Sequence, residues 1–191
     1  MAAAGFSLPD GTVIEAPAGD QDANDDGSNK SNRSPGNPGP ENTNWIGLAR
    51  KLLGSDPNYA QHLQMLEALD EVVGTKKGAE IYERLLESGE KLTIQINSIG
   101  DHIADTGHFR VNIDPTSLPF IDVAGSKAPV RITLARELGH ELGHAVLGRH
   151  DSGKNLMYNV SHVENPIAKD LGLPRRVNIR IYSDVNRTPY E

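Results

Sequence analysis

Apolar residues recur at helical spacing in three stretches of this chain and alternate in two others, and that pattern sets the expected architecture. Leu63, Leu66, Leu69, Val72 and Val73 predict a helix over 58–73, opened by Asp56-Pro57. A second helix is predicted over 77–88, with Gly89 as its stop. Leu92-Thr93-Ile94-Gln95-Ile96 and Phe109-Arg110-Val111-Asn112-Ile113 alternate as strands, and 100–108 between them reads as a loop. A third helix is bounded by Pro129 upstream and Gly148 downstream. Helices, then strands, then a helix and an irregular C-terminal part make the expected fold a small α+β domain.

The third helix has two distinct faces. Leu134, Ala135, Leu138, Leu142, Ala145 and Val146 share one arc of a 3.6-residue wheel, while Thr133, Glu137, His140 and His144 share another. Gly139 and Gly143 each cost about 1 kcal/mol relative to alanine inside a helix. Their position beside the apolar arc predicts that another backbone packs closely there.

On the polar arc stands His140-Glu141-Leu142-Gly143-His144, an HExxH motif. Histidines four positions apart lie one above the other on a helix, so both imidazoles reach a single Zn²⁺ while the intervening glutamate reaches water as general base. A catalytic zinc takes three protein ligands and keeps a fourth position for water, so a further ligand must come from outside the motif. His150 stands where a third histidine stands in HExxHxxGxxH proteins, with Met157 resembling a Met-turn, but Gly148 falls one position late. Counted from Gly148, Asp151 is the equivalent residue. Glu164 has the later spacing of a gluzincin ligand and is preferred, with Asp151 and then His150 as alternatives. Pro166 belongs in the first turn of a helix, which would make Asn165 its cap.

Leu-Gly-His-Glu-Leu-Gly-His-Ala followed by Glu164-Asn165, Leu171-Gly172, Pro174 and Arg176 resembles the effector-type zinc metallopeptidases, the family of the NleD type III effector. The resemblance covers about 134–176. Lys169 and Asp170 stand where the family often has arginine, and the tyrosine usual soon after the arginine is absent, Tyr182 lying further along. Membership would imply a zincin-like core and a secreted bacterial protease acting on proteins in the target-cell cytoplasm.

Composition changes this picture only at the edges. Across 191 residues the net charge is −7, which disfavours general nucleic-acid binding, and the absence of cysteine restricts zinc to nitrogen and oxygen ligands. No window has the roughly 20 apolar residues of a membrane span, and the first residues lack the pattern of a cleavable signal peptide. Residues 16–44 are rich in Gly, Asn, Asp, Ser and Pro and follow a short hydrophobic piece over 6–14. A disordered tail over 1–44 and a folded domain over 45–191 are therefore expected.

Expected partners are protein or peptide substrates, taken up by strand addition at an edge beside the metal cleft. Glu137 or Asp170 is expected to orient a ligand imidazole, and Tyr158, Tyr182 or Arg176 to face the oxyanion. His62, His102 and His108 are expected at the surface, as are Arg175, Arg176, Arg180 and Arg187. The competing classes are a non-catalytic interaction domain and a toxin module hydrolysing a cell-wall peptide.

Overall fold

A computed structural model describes residues 5–7, 13–15, 59–100, 102–105, 108–151 and 156–182. Two helices come first among the longer elements, α1 (Tyr59–Val73) and α2 (Lys76–Ser88). Thr75 caps α2 by accepting from the Gly78 N–H, and Gly89, at φ 68°, ends it in the left-handed conformation that glycine adopts without a Cβ clash.

The larger sheet has five strands in the order β2-β1-β3-β5-β4. They are β1 (Gly5–Ser7), β2 (Val13–Glu15), β3 (Leu92–Ile96), β4 (Ile103–Asp105) and β5 (Arg110–Ile113). β1, β3 and β5 run parallel, whereas β4 is antiparallel to β5 and forms an edge. The smaller sheet, β7-β6-β8, consists of β6 (Phe120–Val123), β7 (Val130–Arg131) and β8 (Arg176–Tyr182).

The motif helix is α3 (Leu134–Ala145), begun by Thr133, whose side chain accepts from the Arg136 N–H. Apart from half-buried Leu134, its predicted apolar arc is buried: Ala135, Leu138, Leu142, Ala145 and Val146 join Leu69 and Val72 of α1, Ile81 and Leu85 of α2, and Val111 and Ile113 of β5 in the main core. A turn of π-helix (Val160–Glu164) runs straight into α4 (Asn165–Asp170), and Val163 and Ile167 from this segment close the core over α3.

The mixed α+β class, α1, α2, β3 and β5 follow the expected pattern, but five local expectations are corrected. The stretch 100–108 is not all loop, because it contains β4. Residues 5–7 and 13–15, assigned to the tail, pair with each other and with β3, whereas 16–44 and the expected helix start at 58 lie outside the described residues. Asn165 does not cap a helix, since the helical backbone is continuous through it. A π-turn widens the coil just where Pro166, lacking an N–H, would disrupt an α-helical ladder. His62 is buried on α1 instead of exposed. What approaches Gly139 and Gly143 is side chains, Ile167 at the first and Asn159 and Val163 at the second, and not another backbone.

Candidate metal centre

His140 and His144 lie side by side on α3 with their Nε2 atoms 3.1 Å apart and their rings nearly perpendicular, at 82°. After α3, Gly148 turns the chain at φ 62° and brings the Arg149 carbonyl onto Nδ1 of His144. Two residues on, Asp151 places Oδ2 at 3.7 Å from His140 Nε2. One donor atom from each of His140, His144 and Asp151 lies within 4.8 Å of the other two. A tetrahedral zinc with ligands at about 2.0–2.2 Å holds its donors roughly 3.3–3.6 Å apart, and the 3.1 Å and 3.7 Å separations bracket that range.

The donor set is held from behind. Asn159, fully buried, donates its backbone N–H to Asp151 Oδ1 at 2.7 Å and its Nδ2 to the His140 carbonyl at 2.8 Å. One residue thereby fastens the carboxylate to the helix that carries the imidazoles. Gly143 makes this possible, because a Cβ there would stand 2.2 Å from Asn159 Oδ1.

Among the described residues it is Asp151, and not the preferred Glu164, that lies with His140 and His144 in a group able to hold a metal ion. Glu164 meets His140 on the other nitrogen, with Oε2 at 2.9 Å from Nδ1, and its carboxylate has no solvent exposure. Arg136 donates Nε to Oε1 at 2.7 Å and Arg176 donates Nη1 to Oε2 at 3.1 Å. Burial alone would raise the Glu164 pKa, but the hydrogen bond from His140 and the charges of Arg176 and Arg136 override it and bring it down to about 2. Burial likewise disfavours a charged His140, and the hydrogen bond and charge of Glu164 reverse this, raising it to about 9 in the metal-free site. Burial and the nearby His140 charge lower the pKa of His144. His150 is exposed, its ring 6.4 Å from that of His144, and is not part of the donor group.

Glu141, one residue after His140, is buried and faces β4, where the Ala104 backbone hydrogen-bonds its carboxylate. Desolvation dominates there and raises its pKa to about 7, against the pull of the His140 charge. Glu137, one turn earlier, is also raised by burial. His102, expected at the surface, has a side chain only 11% exposed, with Nδ1 3.6 Å from Glu137 Oε1 and Nε2 3.1 Å from the Ser117 carbonyl. His108 is exposed, as expected, and pairs with Asp105.

The remaining sequence candidates have other duties. Asp170 accepts from the Lys76 N–H at 3.0 Å and so caps α2; it lines a groove of about 890 Å³ that contains none of the donor residues. Tyr182 donates its hydroxyl to Asp122 at 2.8 Å, tying β8 to β6. Arg176 is buried rather than part of an exposed basic face, and Arg187 lies outside the described residues. Tyr158 stays partly exposed, its hydroxyl 2.6 Å from Arg149 Nη1 and its ring stacked on His162. The residues that sequence reasoning missed are Asn159, Arg136 and the Arg149 carbonyl; the one available signal was that Arg136, like Glu137, precedes His140 by one turn.

No protein-family model, curated protein or solved structure matches this chain.

Proposed function

We propose that the protein is a zinc-dependent endopeptidase in which His140, His144 and Asp151 hold the metal and Glu141 is the general base. The observation that carries this reading is the engagement of both imidazoles at Nδ1, by Glu164 and by the Arg149 carbonyl, which leaves both Nε2 atoms facing each other and Asp151. Three protein donors leave a fourth position for solvent, the arrangement of a catalytic rather than a structural zinc site. When bound, zinc supplies Lewis acidity to the scissile carbonyl and acidifies water.

Glu141 then takes the proton of the attacking water and passes it to the leaving amine. In the metal-free site burial raises Glu141 to about 7, which makes it a stronger base than an ordinary carboxylate. β4 supports a peptide substrate: its outer edge has no strand partner among the described residues, and it touches Glu141 through Ala104. An extended chain laid along that edge would present a backbone amide to the base. A zincin-like core, and action as a secreted effector on proteins inside a target cell, are the extension of this reading that the motif resemblance supports.

The test is to purify the protein, measure its metal content, and compare it with Glu141→Gln on a mixed protein lysate by labelling new N-termini. New termini from the parent alone, with equal zinc in both proteins, are the expected result. Identical terminus patterns from the two proteins would leave a non-catalytic interaction domain as the better reading.

A further inference from the structure

Resting on that reading of the metal centre, we propose that Arg136 and Arg176 are positioning residues for the metal donors, acting through Glu164. The three residues are far apart in sequence and belong to α3, the π-turn and β8. They meet at a single carboxylate with no solvent exposure.

Each arginine grips a different oxygen, Oε1 by Arg136 and Oε2 by Arg176, and Oε2 also faces His140 Nδ1. Opposed grips fix the plane of the carboxylate, not only its charge. Each guanidinium is fixed in turn by main chain. Arg136 donates Nη1 to the Pro174 carbonyl at 2.7 Å, and Arg176 donates Nε and Nη2 to the carbonyls of Asn178 and Ile179 at 2.8 and 2.9 Å. Asn165 completes the frame by pairing with both backbone groups of Arg176, accepting from its N–H at 2.8 Å and donating to its carbonyl at 3.1 Å.

A buried carboxylate stripped of these two donors would turn to find others. That movement would let the His140 ring turn and lose the direction of Nε2. Arg176 therefore acts on the metal from two residues away, and a carboxylate that orients a ligand histidine is commonly worth about 10–100-fold in metal affinity.

The experiment is a Co²⁺ titration of the full chain, followed by the visible absorption of the bound ion, alongside ¹⁵N spectra of metal-free protein that report the hydrogen-bonded Nδ1 proton of His140. Arg176→Met is expected to weaken Co²⁺ about 10–100-fold and to lose the Nδ1 signal. Arg176→Lys should recover part of both. Tyr182→Phe, which loosens the same strand without touching Glu164, should change neither. Parent-like affinity and Nδ1 signal in Arg176→Met would overturn the proposal, as would a Tyr182→Phe loss as large as that of Arg176→Met. Should Arg176→Met fail to fold, Arg176→Lys and Arg136→Lys carry the test, and unchanged affinity in both counts against it. Absence of Co²⁺ binding by the parent would sink the metal reading itself; the Nδ1 signal, kept in the parent and lost in the arginine variants or kept in all, would then decide the positioning role alone.

Discussion

Of the three buried carboxylates near His140, Glu164 and Glu141 are driven in opposite directions by their surroundings. Glu164 lies on the closed side, between α3, the π-turn and β8, where two guanidiniums and an imidazole bring its pKa to about 2. Glu141 lies on the side of the edge strand β4, where burial prevails and its pKa rises to about 7. Nearly equal burial, at 0% and 5% exposure, thus favours the ionised carboxylate in one place and the protonated one in the other. Dedicated donors, and not depth, decide which acid stays ionised and which keeps its proton.

The largest effect expected from breaking this contrast is on turnover. Glu141→Gln removes the exchangeable proton while keeping the shape, and should lower the rate of peptide cleavage by roughly 10²–10⁴-fold. Its zinc content, read by elemental analysis, should match that of the parent.

The corresponding change on the closed side acts on stability instead. Glu164→Gln leaves two buried guanidiniums without their counter-charge, which typically costs about 3–5 kcal/mol. Denaturant melts should show this loss, whereas Glu141→Gln should be neutral or stabilising at pH 7 and above. Equal effects of the two variants would mean that the charges on Arg136 and Arg176 are not what distinguishes the sites.

Stability against pH in metal-free protein sharpens the comparison, because the two groups give slopes of opposite sign. The folded pKa of Glu164 lies below its ordinary 4.5, so its contribution is present above 4.5 and is lost as pH falls from there toward about 2. The folded pKa of Glu141 lies above its ordinary 4.5, so its contribution is present below 4.5 and is lost as pH rises from there to about 7. Each span corresponds to about 3 kcal/mol. Melts of the parent and of each glutamine variant across pH 3–8 should separate them: the advantage of Glu141→Gln over the parent grows between about 4.5 and 7, and the deficit of Glu164→Gln shrinks as pH falls below about 4.5.

The same contrast explains what was legible in the sequence. The periodicity of α1, α2 and α3 and the alternation of β3 and β5 were readable because each element buries one regular face. The HExxH spacing was readable because ligand geometry on a helix is local. The different placement of Asp151 and Glu164 was not, since both are carboxylates downstream of His144 and the structure separates them by which nitrogen of His140 they face. Nothing in linear spacing distinguishes Nε2 from Nδ1. β4 escaped notice because a three-residue edge strand flanked by Gly100 and Gly107 has too little alternation to stand out. Composition places an arginine such as Arg176 at the surface, and only its meeting with Glu164 explains its burial.

The smallest effects come from the two glycines of α3, which look equivalent in sequence but serve different sides of this arrangement. A Cβ at position 139 would meet Ile167 Cδ1 at 2.7 Å, the free end of a side chain that can turn aside, and alanine gains about 1 kcal/mol of helix propensity there. Gly139→Ala should therefore be close to neutral. At position 143 the neighbours are Asn159 Oδ1 at 2.2 Å and Val163 Cγ1 at 3.0 Å. Asn159 cannot withdraw without releasing both the His140 carbonyl and Asp151 Oδ1. Gly143→Ala should therefore cost about 1–3 kcal/mol as overpacking usually does. It should also weaken zinc by displacing Asp151, while Glu164 keeps its grip on His140. Thermal melts and zinc affinity measured on both variants check this: equal zinc binding by the two would mean that Asn159 does not position the third donor.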